Sequence, residues 1–411
     1  MNSRDGIGDD GDNDGETKPP CFTIGAGDLL KGVTVVEFSQ FISAPYVGQM
    51  LAQWGAEVWK IESPAGDPFR TWDGDLYGPP FQAYNQGKRS VVLDLKTPLG
   101  NRAAMDLVTG SDVLIENFRP GVLGRLGLGF PAIHAAAPHV VYCSISGFGE
   151  HGTRASEPGF DTLAQARTGL MSLLMDPENP KLRGPAFADG ITGLTAVGAI
   201  AGALVKRYRT GRGSEVRTSL YESGVAFLGE LVSNQTMVEN RARDAQAFLF
   251  RTRDDQWLVV HLSGVPRFWS NLLAALDDDL LAADPRFADL ALRRQNYEEL
   301  ADELGRRLLT GDRADWLSRL ASADVPAAAV ETIPSALANA LTAELGMVQQ
   351  PIEGMANTVP IVRNPVRVDG NRVVTPPAPA FGRDTVAALR LCGWDDELIS
   401  TAVRDKAARI G

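Results

Sequence analysis

Cysteine and histidine are both scarce in this sequence of 411 residues. The three cysteines, Cys21, Cys143 and Cys392, lie far apart, and the four histidines form no cluster with them. Neither a disulfide framework nor the ligand spacing of a metal site is therefore visible. Because unpaired cysteines are typical of proteins kept in a reducing compartment, the sequence predicts a cytoplasmic protein without a bound metal.

Positive charge is also in deficit. The sequence has 40 lysines and arginines against 51 aspartates and glutamates, which gives a net charge of −11. Nucleic-acid binding depends mainly on clustered lysine and arginine, so this balance argues against a nucleic-acid partner. A few cations grouped in one place would still be enough to bind a small anionic ligand.

Long apolar segments are missing as well. No run of 18 apolar residues occurs, so we expect no transmembrane helix and no membrane partner. Residues 194–205 form the longest apolar stretch, which glycines interrupt, and we predict a buried helix there. Residues 2–18 are rich in aspartate and glycine and lack the apolar segment of a signal peptide. We interpret residues 1–20 as a disordered acidic tail.

The sequence also lacks the loops that bind nucleotide phosphates. Residues 124–129 read GRLGLG, but they do not follow a strand as the dinucleotide fingerprint requires. No Walker A sequence is present. These absences argue against an enzyme that uses nicotinamide cofactors or nucleoside triphosphates.

Strand and helix patterns alternate from residue 30 onward. Helical spacing at residues 45–54 and the capping pair Thr97-Pro98 predict helices between the strands. Short apolar segments predict strands at residues 33–38, 57–61, 91–95, 112–115, 140–146 and 214–219. This alternation predicts an α/β fold with a mostly parallel sheet that is covered on both faces.

The pattern changes near residue 225. Two short strands, at residues 247–251 and 257–262, are followed by charged helices and an apolar strand at 325–330. We interpret residues 225–335 as a smaller α+β domain inserted into the α/β domain. A proline-rich extended segment at 351–379 and two short helices complete the chain.

Asp189 begins a predicted helix over residues 189–208 that contains several glycines. An aspartate at that place is usually an N-cap. It would also be kept ionised by the helix dipole, as a nucleophile requires. Each glycine within a helix costs about 1 kcal/mol relative to alanine, which suggests close approach by another backbone or by a ligand.

Polar and charged residues follow two of the predicted strands. Asn117 and Phe118 come after the strand at 112–115, where open α/β sheets place ligands, but the pattern alone favours a turn asparagine and a buried phenylalanine, because both are common. A group of cations brackets the strand at 91–95 and the next helix. These cations either bind the phosphates of an anionic ligand or are ordinary solvated charges; they are Lys88, Arg89, Lys96, Arg119 and Arg125.

A series of short segments carries a resemblance to a known family. In chain order they are LKGVTVVEFS (30–39), LAQWGAEVWKIE (51–62), GDPFR (66–70), GKRSVVLDLK (87–96), ENFRPG (116–121), SGFG (146–149), PGFD (158–161), TGRG (210–213), DPRF (284–287) and GRDT (382–385). Together they resemble the family III CoA-transferases, the CaiB–BaiF group. The resemblance covers nearly everything after residue 29.

The resemblance implies a particular domain layout. A Rossmann-like large domain that binds CoA would be formed by residues 21–224 and completed by 336–411, with the small domain at 225–335 between them. It also implies an intertwined homodimer, in which two ring-like chains pass through each other. The periodicity of the sequence does not indicate this interlock.

The resemblance also assigns site residues. FADGITG (187–193) matches the family segment that carries the nucleophilic aspartate, which makes Asp189 its counterpart. Ser43 matches a small residue near the thioester, and Asp161 matches a carboxylate near the acyl group. The matched CoA-contact positions are Leu93, Asp94, Leu95, Lys96, Asn117, Phe118 and Arg125.

The expected activity is transfer of CoA from an acyl-CoA thioester to a carboxylic acid, dicarboxylic or carnitine-like, through aspartyl anhydride and thioester intermediates. CoA would be a substrate, and no permanent cofactor is expected. One alternative is an α-methylacyl-CoA racemase. The racemases carry histidine where this chain has Phe160, and phenylalanine cannot relay a proton, which argues against racemisation. Another is a CoA-binding protein without activity, against which Asp189 argues. No glycine-run loop follows Glu230, so oxalate–formyl-CoA exchange is not expected.

Overall fold

The description rests on a computed structural model. It covers residues 29–411 apart from 73–75, 234–236, 352–358 and 374. The predicted acidic tail at residues 1–20 lies outside the described residues, as does Cys21.

The strands are short, and most precede a helix. They are β1 Thr34–Phe38, β2 Glu57–Glu62, β3 Arg89–Leu93, β4 Val113–Glu116, β5 Val141–Ser146, β6 Glu215–Ser219, β7 Ala247–Arg251, β8 Trp257–His261, β9 Ala327–Ala329, β10 Val348–Gln349, β11 Ile361–Val362 and β12 Ala408–Arg409.

The helices cover the strands and the segments between them. They are α1 Ser43–Gln53, α2 Pro79–Tyr84, α3 Pro98–Thr109, α4 Val122–Arg125, α5 Phe130–Ala136, α6 Asp161–Thr168, α7 Leu170–Leu174, α8 Phe187–Thr210, α9 Leu220–Phe227, α10 Gly229–Ser233, α11 Met237–Ala245, α12 Pro266–Leu276, α13 Asp279–Ala282, α14 Leu290–Gln295, α15 Tyr297–Leu308, α16 Arg313–Ser322, α17 Ile333–Ala338, α18 Ala340–Glu344, α19 Thr385–Leu391 and α20 Asp396–Arg404.

The central sheet has seven strands in the order β12-β3-β2-β1-β4-β5-β6. All neighbouring pairs are parallel except β12, which pairs antiparallel with β3. The predicted α/β fold with a mostly parallel sheet is therefore confirmed. Because the chain runs outward from β1 through β2 to β3 and then returns to β4, the order reverses between β1 and β4. Ligands of open α/β sheets bind at the carboxyl ends of strands beside such a reversal.

Alternate residues of each central strand enter the cores on opposite faces of the sheet. Val35 and Val58 pack with α1 and α8 on one face. Val36 and Trp59 pack with α3, α19 and α20 on the other face. Burial on both faces explains why these strands appear in the sequence as nearly continuous apolar runs.

Helix α8 is longer than predicted, since it begins at Phe187 and ends at Thr210. By length and composition alone it is the one described helix that could cross a membrane. Its buried side, with Ala196, Val197 and Ile200, packs in the core of the large sheet. This packing is typical of a core helix in a folded domain. The opposite side is exposed, and Tyr208 is 94% exposed.

A separate core lies between residues 248 and 325. It combines the antiparallel sheet β7-β8-β9 with α12, α15 and α16. Strands β7 and β8 fall where they are predicted, whereas the apolar strand at 325–330 is only three residues long. The limits of the small domain, 225–335, stay a prediction.

Four charged side chains are buried beneath the carboxyl ends of β1 and β2, and we call them the Glu37 cluster: Glu37, Lys60, Asp67 and Lys88. Lys60 Nζ lies 3.3 Å from a Glu37 oxygen and 2.9 Å from an Asp67 oxygen. Lys88 Nζ lies 2.9 Å from the other Glu37 oxygen. The hypothesis that Lys88 is a solvated cation or a phosphate ligand is wrong, because Glu37 holds it in the core, where burial lowers its pKa to about 8.

The lysines of the Glu37 cluster also bind the backbone that follows β1. Lys60 donates to the carbonyl oxygen of Ser39 at 3.0 Å, and Lys88 donates to that of Pro45 at 2.7 Å. The segment between these two residues is therefore held at both ends. It includes Phe41, whose φ of 65° is in the left-handed region that favours glycine.

Candidate functional site

Two neighbouring cavities lie at the carboxyl ends of the central strands, beside the reversal in strand order. We call them the β3 cavity and the Asp189 cavity, and each has a volume of about 310 Å³. Gln40 and Phe118 line both of them. A long ligand could therefore extend from one cavity into the other.

The β3 cavity brings together most of the predicted CoA-contact residues. Apolar side chains from Ile61, Leu93 and Leu126 form much of its wall, and two cations, Lys96 and Arg125, lie among the lining residues. An apolar slot beside cations suits a planar ring that carries phosphate groups. The predicted contact residues on its wall are Leu93, Asp94, Leu95, Lys96, Phe118 and Arg125.

Asn117 and Ser43 line the Asp189 cavity together with Phe118. The Asn117 side chain accepts a hydrogen bond from the Gln40 backbone N–H at 3.0 Å and donates to the Gln40 carbonyl at 2.8 Å. It thus joins the segment after β1 to the segment after β4. Because this amide is already paired within the protein, its clearest role in the structure is to shape the cavity wall.

Asp189 lies on the wall of its cavity, in the first turn of α8, and is 9% exposed. It is not the N-cap that the sequence predicts, because the helix begins at Phe187 and Ala186 precedes it. Burial raises the pKa of Asp189 to about 7, and the charge of Asp161 adds to the increase, while hydrogen bonds from the Ser43 side chain and backbone oppose it. The site therefore holds a carboxyl group that titrates near neutral pH.

Asp161 supports the start of α8. One of its carboxylate oxygens accepts the backbone N–H of Asp189 at 3.1 Å, and the other accepts the side-chain amide of Gln165 at 2.5 Å. A close crossing of two backbone segments precedes it, since a Cβ on Gly147 would lie 2.4 Å from the Gly159 Cα. Glycine is required there, and the crossing sets the position of Asp161 beside Asp189.

One of the four glycines in α8 has the close contact that the sequence predicts. A Cβ on Gly193 would lie 2.8 Å from the Tyr46 ring and 3.3 Å from the carbonyl oxygen of Ser43. Gly193 thereby lets α1 approach α8 one turn after Asp189. The other three, Gly190, Gly198 and Gly202, face open space, with no atom within 4 Å of such a Cβ.

Sequence reasoning missed the aromatic wall of the Asp189 cavity. Phe41 and Phe160 line it, and their ring centroids are 6.1 Å apart in an edge-to-face arrangement. Phe160 is 52% exposed. Position 41 gives no signal in the sequence, because nothing local predicts a phenylalanine with positive φ.

Glu116 was also missed, at the end of β4. It is buried and accepts hydrogen bonds from Ser144 at 2.5 Å and from the Phe118 backbone N–H at 2.8 Å. Burial raises the pKa of Glu116 to about 7. Its contact with the Phe118 backbone positions a residue that lines both cavities.

Comparisons with known proteins identify the family of the chain. The model of the CoA-transferase family III matches residues 30–385. The chain is 32% identical over 339 residues to the mouse succinyl-CoA:glutarate CoA-transferase, covering 78% of this chain and 76% of that protein. It is 27% identical over 398 residues to the (R)-2-hydroxy-4-methylpentanoate CoA-transferase of Clostridioides difficile, covering 93% and 100%.

Solved structures give the same answer. The crystal structure of a CAIB/BAIF family protein from Brucella suis superimposes with a TM-score of 0.77 at 32% identity, over 88% of this chain and 99% of that one. CoA-transferases of this family take CoA thioesters as substrates, in accordance with the two cavities. The chain is a CoA-transferase and belongs to family III.

Proposed function

We propose that Asp189 is the nucleophile of this CoA-transferase. The observation that carries the proposal is a buried carboxyl group on the wall of a cavity that shares Gln40 and Phe118 with a second cavity suited to CoA. A buried group held by Ser43 has little hydration to lose when it attacks. The adjacent aromatic wall would help to keep water from the site when substrate is bound, which matters because acyl anhydrides hydrolyse readily.

The proposed reaction proceeds by exchange at two carbonyl carbons. A carboxylate oxygen of Asp189 attacks the thioester carbonyl, the carbon–sulfur bond breaks, and its electron pair leaves with the CoA thiolate. The thiolate then attacks the aspartyl carbonyl of the anhydride and releases the first acid, which leaves an aspartyl thioester. The second acid repeats these steps in reverse and departs as its CoA thioester. Covalent catalysis thus divides one difficult displacement into easier steps.

Trapping with hydroxylamine tests the nucleophile directly. With acyl-CoA present, hydroxylamine should convert the activated Asp189 carboxyl group to a hydroxamate, which peptide mass spectrometry locates. Asp161 lies beside it and serves as the internal control, because it should stay unmodified. A hydroxamate on Asp161 alone would contradict the assignment.

The β3 cavity is the proposed site for the adenine and phosphate end of CoA. Leu93, Asp94, Leu95 and Lys96 would surround the adenine end, and Phe118 would lie along the pantetheine arm as it passes to Asp189. Ser43, which hydrogen-bonds Asp189, would lie near the thioester. In this proposal CoA enters only as a substrate, and no cofactor is bound permanently.

Arg125→Gln is expected to raise the KM for acyl-CoA about tenfold with little change in kcat, because a charge-assisted contact to a CoA phosphate is lost. Initial rates against acyl-CoA concentration give both constants. Arg102→Gln is the matched control, since Arg102 is exposed on α3 and pairs with Asp106. An unchanged KM in the Arg125 variant would show that Arg125 does not contact a phosphate group of CoA.

The pH profile should report the Asp189 carboxyl group. We expect kcat/KM for acyl-CoA to rise with pH through a midpoint near 7 and then level off, because only the ionised form attacks. Asp161→Asn keeps an oxygen for the Asp189 N–H but removes the repelling charge, so its midpoint should lie at lower pH. Asp176→Asn, on an exposed loop, should leave the midpoint in place. A midpoint that Asp161→Asn does not move would contradict this electrostatic account.

The racemase alternative remains less favoured. Its proton transfer needs an acid or base on each side of the substrate, and Phe160 occupies the position where the racemases carry histidine. Exchange of the substrate α-proton with deuterium, in the absence of CoA transfer, would support the racemase instead.

The acid substrate is proposed to include a dicarboxylate. Arg119 is the one cation among the described residues that line the Asp189 cavity, and it is exposed. It could pair with the distal carboxylate of an acid such as glutarate, whereas the single carboxylate of a carnitine-like acid is the group that reacts at Asp189. The mouse relative's name gives succinate and glutarate as its acids.

A homodimer in the cytoplasm is proposed for the assembly. The exposed side of α8 carries Leu194, Val205 and Tyr208, together with the open positions of Gly198 and Gly202. Small residues beside exposed apolar ones suit close contact with a second chain. This surface supports contact with a second chain. The interlock is what the family resemblance implies, and we propose no nucleic acid or membrane as a partner.

A further inference from the structure

We infer that one of the two acids exchanged at Asp189 carries an aromatic ring, as in an arylalkyl carboxylic acid. This inference rests on the proposed function, because it concerns the acyl end of the same site. The juxtaposition behind it is an edge-to-face aromatic pair, Phe41 and Phe160, on the wall of the cavity that contains Asp189.

The aromatic pair belongs to a larger cluster of rings. Phe41 meets Phe69 edge-to-face at 5.5 Å, and Phe69 meets Trp72 at 5.4 Å. Tyr84 stacks on Phe69 at 6.4 Å and meets Tyr46 at 6.2 Å. The wall is therefore backed by packed rings, so Phe41 cannot turn away without disturbing them.

This cluster lies near the reacting group. Tyr46 contacts the place where a Cβ on Gly193 would lie, one turn after Asp189. Burial raises the pKa of Tyr84, and the charges of Asp189, Tyr46 and Asp161 add to the increase. The rings and the carboxyl groups thus lie within electrostatic range of each other.

The backbone of Phe41 is strained. Its positive φ of 65° is an uncommon conformation for a residue with a side chain, and such residues cluster at functional sites. The Glu37 cluster holds the backbone on both sides, through Ser39 and Pro45. The fold thereby maintains a strained residue whose ring faces its partner across the cavity wall.

The apolar wall of the Asp189 cavity suits an acid substrate that carries a ring better than one that carries a second charge. Phe160 is half exposed, so a ligand ring would cover apolar surface and complete the edge-to-face arrangement that aromatic groups prefer. Pro158, Ile145 and Leu220 line the same cavity and extend the apolar surface. Arg119 can receive a distal carboxylate, so the dicarboxylate and the aryl acid would use different parts of one cavity.

Isotope exchange between an acyl-CoA and its own free acid tests the inference. The probes are 3-phenylpropanoyl-CoA with labelled 3-phenylpropanoate, and glutaryl-CoA with labelled glutarate. We expect exchange with both pairs in the native homodimer. The quantity compared is kcat/KM for phenylpropanoate exchange divided by kcat/KM for glutarate exchange. Phe160→Leu should lower this ratio about tenfold, whereas Arg119→Gln should raise it. Leu280→Ala is the control, because this exposed side chain lies on α13, and the variant should change neither rate.

The outcomes separate this inference from the proposed function. Glutarate exchange without phenylpropanoate exchange would overturn the inference alone. So would an equal fall of both pairs in Phe160→Leu, because it would show a purely structural role. If neither pair exchanges and hydroxylamine marks no Asp189, the proposed function fails as well. A shift of the ratio in opposite directions by the two variants supports the inference.

Discussion

Asp189→Asn is expected to lower the rate of CoA transfer by about 10⁴-fold or more, because the side chain can no longer form the anhydride. Asparagine has nearly the same shape, its oxygen can still accept the hydrogen bonds of Ser43, and its backbone N–H can still reach Asp161. Acyl exchange measured by mass spectrometry gives the rate. Calorimetry with CoA supplies the control, since binding in the β3 cavity should persist. Exchange at the native rate would remove Asp189 from the mechanism.

The same variant should be more stable than the native protein above neutral pH. The folded-state pKa of Asp189, about 7, is higher than its ordinary value of 3.8. Between these values the folded state binds more protons than the unfolded state, so the native protein loses stability as pH rises. Asparagine has no charge to bury. The gain should be on the order of 4 kcal/mol at pH 8 and should fall below about 1 kcal/mol near pH 4. Urea unfolding at the two pH values measures it, and a larger gain at pH 4 would contradict the sign.

Glu37→Gln is expected to destabilise the fold by about 3–5 kcal/mol, because it leaves buried cations without their shared partner. Lys88 would keep only neutral partners, namely the Pro45 carbonyl, Asn85 and the amide oxygen of the new glutamine, whereas Lys60 would keep the charge of Asp67 and the groups of Ser39. The midpoint of urea unfolding, followed by circular dichroism, reports the loss. The loosened segment after β1 should also lower kcat more than it raises KM.

An exposed ion pair provides the matched control for Glu37. Glu57 pairs with Arg89 at 2.8 Å, but their side chains are 41% and 44% exposed. Glu57→Gln should therefore cost less than about 1 kcal/mol. Equal losses in the two variants would show that burial of the Glu37 cluster does not strengthen its contribution.

The sheet and the position of the two cavities at its edge were predictable, whereas the walls of the site were not. Strand periodicity is local, so the parallel sheet follows from the sequence, and the carboxyl ends of β3 and β4 identify the edge at which the two cavities lie. The helix start was misplaced by two residues, which turned Asp189 from a first-turn residue into a cap. The error is small because neighbouring residues within one turn are similarly compatible with a helix start.

Lys88 and Phe41 show what the sequence could not reveal. Whether a lysine is solvated or buried depends on a partner from another strand, here Glu37, which lies 51 positions away. Whether a phenylalanine faces a cavity depends on backbone strain that only tertiary contacts can maintain. Both are long-range effects, and periodicity carries no information about them.

The pairing of β3 with β12 has a consequence for how the chain folds during synthesis. Leu93 pairs with Ala408 and Val92 with Arg409, so the two strands lie near opposite ends of the described chain. The strand β3 therefore emerges from the ribosome long before its edge partner, and the core between residues 248 and 325 can form in the interval. During that interval an apolar strand edge is open to other chains, as is typical of aggregation-prone folding intermediates. Slower translation after residue 325 would prolong this exposure, and chaperones that shield strand edges would act at this stage.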